Sequence, residues 1–297
     1  MDTIVPKGKL IPIGGNEAHG PEDNASGGQM QQVDFFKNGI LQEVLLEMKG
    51  PETKILVIPA ASDVPKEMAK VYIDAFKSLG CKEVEIMYVE KPEDTDRKEN
   101  LKKLEQADGI MFTGGDQSIL IEKFADSDFC RRMVDRYWNE GFVIAGTSAG
   151  AAAMARLAIK DGKSGESLIK GMVETEKGLA LVPEVIIDTH FMQRSRLPRL
   201  TEALLRNPGL VGLGLCADTG VVITEGNRLK PIGSGVVTIL ETDAIQVTNY
   251  HLVKELEPVY LDGLRVRMLA AGARYLIRER KFIPLGSTEE KTHKPTV

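Results

Sequence analysis

Cysteine is scarce in this sequence, and what little there is stands apart. Cys81, Cys130 and Cys216 are odd in number, far from one another and in no CxxC pair, which argues against a disulfide framework or a zinc site. An excess of positive charge is also missing. The formal net charge is −5, with 27% charged residues, so electrostatics gives no support for a general nucleic-acid or anionic-membrane binder. No apolar run reaches the length of a membrane span, and the opening MDTIVPKGKL has no long apolar core behind a basic start. Repeats, low-complexity tracts and Pro/Ser-rich linkers are absent as well. These absences leave a soluble, cytoplasmic globular protein with small or locally recognised partners as the expectation. Its 297 residues, 42% of them hydrophobic, suffice to bury a full core.

What is present is a rhythm. Short β-prone runs at 9–15 (KLIPIGG), 54–60 (KILVIPA), 83–89 (EVEIMYV), 109–115 (GIMFTGG) and 142–147 (FVIAGT) read as strands. Between them Met30, Val33, Phe36, Ile40 and Val44 recur at helical spacing, as do Val71, Ala75 and Leu79. Strand and helix in alternation imply a parallel sheet covered on both faces. After about residue 210 the pattern changes to short strands with glycine turns, which predicts antiparallel additions. The expectation is one α/β domain over residues 1–285 and a frayed tail over 286–297.

In a doubly wound sheet ligands collect beyond the carboxyl ends of the strands. Loops rich in glycine lie at three such ends: Gly14-Gly15-Asn16-Glu17, Gly114-Gly115-Asp116-Gln117, and the turn that holds Ser148. The last, Gly146-Thr147-Ser148-Ala149-Gly150, has the G-x-S-x-G form in which a sharp strand-to-helix turn presents a serine hydroxyl. Its glycines permit strand and helix to approach closely, and the helix start offers free amides to a developing oxyanion. A plain packing turn has the same pattern, so the neighbours must decide.

A nucleophilic serine needs a base, and there are four histidines. His293 falls in the tail, His19 in a polar loop and His251 outside any of these motifs, whereas His190 ends the apolar run VPEVIIDTHF, at a strand's carboxyl end like Ser148. Asp188, two positions earlier, and Asp218, at the end of another apolar run, are both candidates to orient its imidazole. Arg194, Arg196 and Arg199 follow, the last two spaced to point the same way on a helix beginning near Pro198. They suit carboxylate binding, or equally structural ion pairs. Gly114 and Gly115 can expose amides, Gln117 can bond a substrate, and Asp116 is equally natural as a helix N-cap.

Together GKLIPIGG, FTGGDQ, AGTSAGAAAM, DTHFMQRSRLPRL, GLGL and PIGSGVVTIL, in order from about residue 8 to 240, resemble cyanophycinase and its relatives, serine peptidases akin to the aspartyl dipeptidases. The resemblance implies a flavodoxin-like fold related to class I glutamine amidotransferases, a homodimer, no metal or other cofactor, no nucleic-acid or membrane partner, and cleavage of β-aspartyl-arginine units from a polyaspartate-arginine polymer. It also implies Ser148 as nucleophile, His190 as base, oxyanion-hole amides at Gly115 and Ala149, and a substrate groove lined by Gln117, Asp188, Arg194, Arg196 and Arg199. Two positions depart from the family's pattern. Thr189 replaces a glutamine expected to contact substrate, and Ala217 stands where the resemblance implies a glutamate that orients the histidine. Asp218 next to it is the candidate replacement. Alternatives are a non-catalytic relative that binds acidic or aspartyl-arginine peptides, and a broader serine esterase or amidase.

Overall fold

A computed structural model describes residues 4–15, 39–162 and 168–287. Five strands form the parallel part of the main sheet: β1 (Lys9–Ile13), β2 (Lys54–Ile58), β3 (Glu83–Ile86), β4 (Gly109–Phe112) and β5 (Val143–Thr147). Their helices are α1 (Ile40–Leu46), α2 (Pro65–Ser78), α3 (Pro92–Thr95), α4 (Lys98–Gln106), α5 (Gln117–Phe124), α6 (Asp128–Asn139) and α7 (Ala149–Ala153). A hairpin, β6 (Leu157–Gly162) and β7 (Val173–Lys177), comes next, then β8 (Val185–Asp188), α8 (Leu197–Arg206) and β9 (Val211–Leu215). The chain continues with β10 (Thr219–Thr224), β11 (Arg228–Gly233), β12 (Val237–Glu241), β13 (Val247–Thr248), β14 (Leu261–Asp262), β15 (Arg265–Leu269), β16 (Arg274–Leu276) and β17 (Lys281–Ile283).

The main sheet runs β17-β16-β11-β10-β1-β5-β4-β2-β3, and its added strands are antiparallel, as the glycine-punctuated C-terminal rhythm predicts. The result is a flavodoxin-like arrangement. A second, four-stranded sheet, β15-β12-β9-β8, packs beside it. One consequence differs from the sequence reading: His190 follows a strand of this second sheet, and β8 and β9 are parallel to each other. A short apolar run looks the same in either sheet, because both bury their strands on two faces.

Alternation along the main strands sorts their side chains. Leu10, Leu56, Ile58, Ile110, Phe112 and Ile144 join the core shared with the second sheet. Ile11, Ile13, Ile55, Val57, Met111, Val143 and Ala145 meet α1 and α2 on the opposite face. The far face of the second sheet receives Leu200, Ala203 and Leu204 of α8. Helix α2 rotates its stripe relative to the periodicity expected of it: Ala69, Tyr72, Ala75 and Phe76 are buried, while Val71 is 42% exposed. The larger rings of Tyr72 and Phe76 define the buried face, and Val71 lies about 100° off it. Met30, Val33, Phe36, His19 and His293 lie outside the described residues, as does the tail from 288 onward.

The strands that matter most are neighbours. β5 lies between β1 and β4, with Thr147 level with Ile13 and Gly146 level with Phe112, so the loops that follow them emerge side by side. The elbow glycines are there for space. A Cβ on Gly146 would come within 2.7 Å of the Gly150 backbone, and one on Gly150 within 2.7 Å of the Phe112 carbonyl oxygen. Neither neighbour is a side chain that can swing aside. Gly150→Ala is therefore expected to lower stability by about 1–3 kcal/mol in urea unfolding, the range for overpacking a closed core. Gly141, with nothing within 4 Å of its added Cβ, serves as control and tolerates alanine within about 0.5 kcal/mol.

Candidate active site

Strand β1 ends in three consecutive carbonyls, and each accepts one backbone N–H from a different part of the chain. Ser148 donates to Ile13, His190 to Gly14 and Asp218 to Gly15, each at 2.9 Å. All three donors have left-handed backbones, with φ of 48°, 48° and 47°. A positive φ is uncommon for a non-glycine residue, so the hydrogen bonds hold what the residues alone would avoid. Gly14 N–H completes the crossing by donating to Thr219 O at 2.8 Å.

This crossing brings the elbow serine to the histidine. Ser148 Oγ and His190 Nε2 are 3.1 Å apart, and with the imidazole proton on Nδ1 the hydroxyl donates to Nε2. His190 is buried and Ser148 half-buried. Phe191 anchors the next position, its N–H on Leu215 O at 3.0 Å and its ring filling the space over Gly214, where an added Cβ would lie 2.6 Å away.

The glycine loop after β4 passes the other side of the serine. An added Cβ on Gly114 would sit 3.6 Å from Ser148 Cβ, and Gly115, at φ +142°, presses so closely on the Ala61 carbonyl that no side chain fits. Asp116 N–H bonds Ala61 O at 2.9 Å and its carboxylate accepts from Ser118 N–H at 2.7 Å, so it is the N-cap of α5. Ala149, buried, takes the first position of α7, where a helix has no acceptor of its own for the amide. Gln117, expected at the groove, donates its side-chain amide to Ile159 O at 2.7 Å and Lys160 O at 3.2 Å, pinning the β6–β7 hairpin beside the site.

The arginines divide. Asp188 is 1% exposed, and both its oxygens accept from guanidinium groups: Oδ1 from Arg196 Nη1 at 3.1 Å and from Arg199 Nη2, Oδ2 from Arg199 Nε at 2.7 Å. Arg196 also donates to Thr189 O, and Arg199 to Gly162 O at 3.3 Å. Burial pushes the Arg196 guanidinium down to about 10 against the pull of Asp188, with Arg199 and Arg194 adding repulsion. Arg194 is exposed. Asp188, a candidate partner of the imidazole or of substrate by its position in the sequence, is the hub of an ion-pair cluster that joins β8, α8 and β6.

Two features escaped the sequence reading. Gln193 Oε1 accepts from Ala217 N–H at 3.2 Å, tying the turn after His190 to the turn before Asp218. Gly15 packs directly on the His190 ring. Neither has a sequence signal beyond its presence in a quoted motif. Among the described residues no cluster of three or more His, Cys, Asp or Glu is placed to hold a metal ion, and no helix is long and apolar enough to cross a membrane. The three cysteines are free and buried, and burial pushes the Cys130 thiol up to about 11.

The serine and the histidine lie together at the carboxyl ends of the strands of an α/β fold, an arrangement that recurs among serine hydrolases. The chain belongs to peptidase family S51, whose sequence profile matches residues 25–230. Among curated proteins it is similar to cyanophycinases. It is 32% identical over 272 residues to the cyanophycinase of Synechococcus elongatus, covering 92% of this chain and 80% of that protein. To the cyanophycinase of Geminocystis herdmanii it is 34% identical over 246 residues, 83% and 86% of the two chains. In fold it matches the crystal structure of a peptidase from an acI-B1 actinobacterium, with TM-score 0.62 at 20% identity over 92% of this chain and 98% of that one.

The ion-pair cluster makes a sharp prediction. Asp188→Asn leaves a buried and a half-buried guanidinium group facing a neutral amide and is expected to cost about 3–5 kcal/mol in chemical denaturation. Arg194→Ala, removing an exposed side chain, is expected to stay within about 0.5 kcal/mol of wild type. A loss under about 1 kcal/mol in Asp188→Asn would show that the cluster does not brace the site.

Proposed function

We propose that this chain is a serine peptidase that hydrolyses cyanophycin or smaller β-aspartyl peptides of the β-Asp-Arg type. The observation that carries the reading is the 3.1 Å pairing of Ser148 Oγ with His190 Nε2 on a strained elbow. The cyanophycinase relatives support the substrate class.

In this mechanism Ser148 Oγ attacks the scissile carbonyl carbon while His190 Nε2 takes its proton. The carbonyl electrons move onto oxygen, and the Gly115 and Ala149 amides receive the oxyanion; such donors are worth roughly 10²–10³ in rate each. His190 then returns the proton to the departing amine. Water, deprotonated by the same imidazole, releases the acyl group and restores the serine. Asp218, tied to Gly15 beside the imidazole, takes the part of the third member that Ala217 has no side chain to play. Arg194 is the exposed cation beside the His190 turn, and it is the first choice to meet a substrate carboxylate. Arg196, Arg199 and Asp188 set the shape and charge of that wall, and Thr189 and Gln117 complete it.

The test is release of β-aspartyl-arginine from cyanophycin, and of amino acids from β-aspartyl dipeptides, read by mass spectrometry. Wild type is expected to release product, and Ser148→Ala to lose activity by about 10⁴-fold or more. Ala217→Glu is expected to raise activity or leave it unchanged. Undiminished release by Ser148→Ala contradicts the proposal. The missing carboxylate at Ala217 favours one second reading, a relative that binds such peptides without cleaving them. Thermal stabilisation by β-aspartyl-arginine without any release would establish it.

A further inference from the structure

Gly15 stands at φ +98°, where L side chains are strained, and it is the residue packed on the imidazole. A Cβ built there would lie 2.5 Å from His190 Nε2 and 3.1 Å from Nδ1, closer still to Cε1, where real Cβ contacts essentially never fall below 3.0 Å. The nearest ring atoms are those on the Ser148 side, since Nε2 is the nitrogen paired with Oγ. The same short segment bonds the backbones of His190 through Gly14 O and of Asp218 through Gly15 O.

We infer that Gly15 is a positioning residue: its bare backbone is the surface against which the imidazole rests, and this sets the distance of Nε2 from Ser148. The inference rests on the serine-peptidase reading of the site. Three contacts place His190: the Gly14 carbonyl holds its backbone, Ser148 Oγ meets its Nε2, and Gly15 lies against the ring. A methyl at position 15 moves the far end of the ring, the softest of these groups, and so breaks the pairing before it breaks the fold.

The test needs no knowledge of the natural substrate. A fluorophosphonate probe reacts when Ser148 Oγ attacks phosphorus, fluoride leaves and His190 accepts the proton, so its labelling rate reports the pairing itself. Gly15→Ala is expected to label Ser148 at least ~100-fold more slowly than wild type, the scale of a base displaced by about 1 Å. Its rate should also lose the rise with pH that marks imidazole deprotonation. Gly80→Ala, with a similar φ of +82° and nothing within 4 Å of the added Cβ, is expected to label as wild type does. In a His190→Ala background, adding Gly15→Ala is expected to change the rate by less than about threefold, because the group it displaces is gone.

Gly15→Ala labelling at the wild-type rate would overturn the inference, as would an equal slowing in the presence and absence of His190. If Gly15→Ala does not fold, the double variant lacking the imidazole is expected to fold, and failure of both overturns the inference. Wild type that does not label at all sinks the serine-nucleophile reading and takes this inference with it. Labelled wild type with an unaffected Gly15→Ala sinks the inference alone.

Discussion

Everything at this site depends on the end of β1. Its three consecutive carbonyls at Ile13, Gly14 and Gly15 accept the amides of Ser148, His190 and Asp218, residues that come from the elbow after β5, the turn after β8 and the turn before β10. Two sheets contribute, and β1 is where they meet. Each donor has a positive φ, uncommon for a residue with a side chain, and each is held there by its bond to this segment. Preorganisation of this sort is what the proposed nucleophile and base require, because a misplaced imidazole loses the proton transfer.

Glycine makes the convergence possible. Gly14 lies against the Cys216 carbonyl, Gly15 against the imidazole, Gly146 against Gly150, Gly150 against Phe112 and Gly214 against the Phe191 ring. At each of these contacts two backbones, or a backbone and a ring, approach more closely than a Cβ allows. The charge cluster under the site plays a complementary part. Asp188, Arg196 and Arg199 are held in one geometry by mutual attraction in a buried setting, and that fixes where the turn carrying His190 leaves β8.

A good part of this was legible in the sequence. The period of the first five strands, the turn at Ser148, the position of His190 at a strand end beside it and the shared direction of Arg196 and Arg199 all follow from local pattern, and local pattern is what sequence periodicity records. The membership of β8 in a second sheet was not legible, because the run Val185-Ile186-Ile187 is buried on both faces wherever it packs. Nor was the engagement of Asp188 by two arginines, where spacing allowed both a catalytic and a structural part. Gln193 reaching Ala217 and Gly15 resting on His190 are contacts across 24 residues and more, with no periodicity to announce them. Val71 missed the core because two aromatic neighbours on α2 outweigh it.

In the proposed mechanism the β1 template aims Ser148 at a carbonyl carbon with His190 behind it and the Gly115 and Ala149 amides in front. A crystal structure of the protein after reaction with a fluorophosphonate tests this most directly. The proposed mechanism predicts a phosphonyl group on Ser148 Oγ, its oxygen about 2.7–3.1 Å from both amides, and the imidazole still in contact with the Ser148 side of the adduct. An adduct at another residue, or a phosphonyl oxygen turned away from both amides, would contradict it.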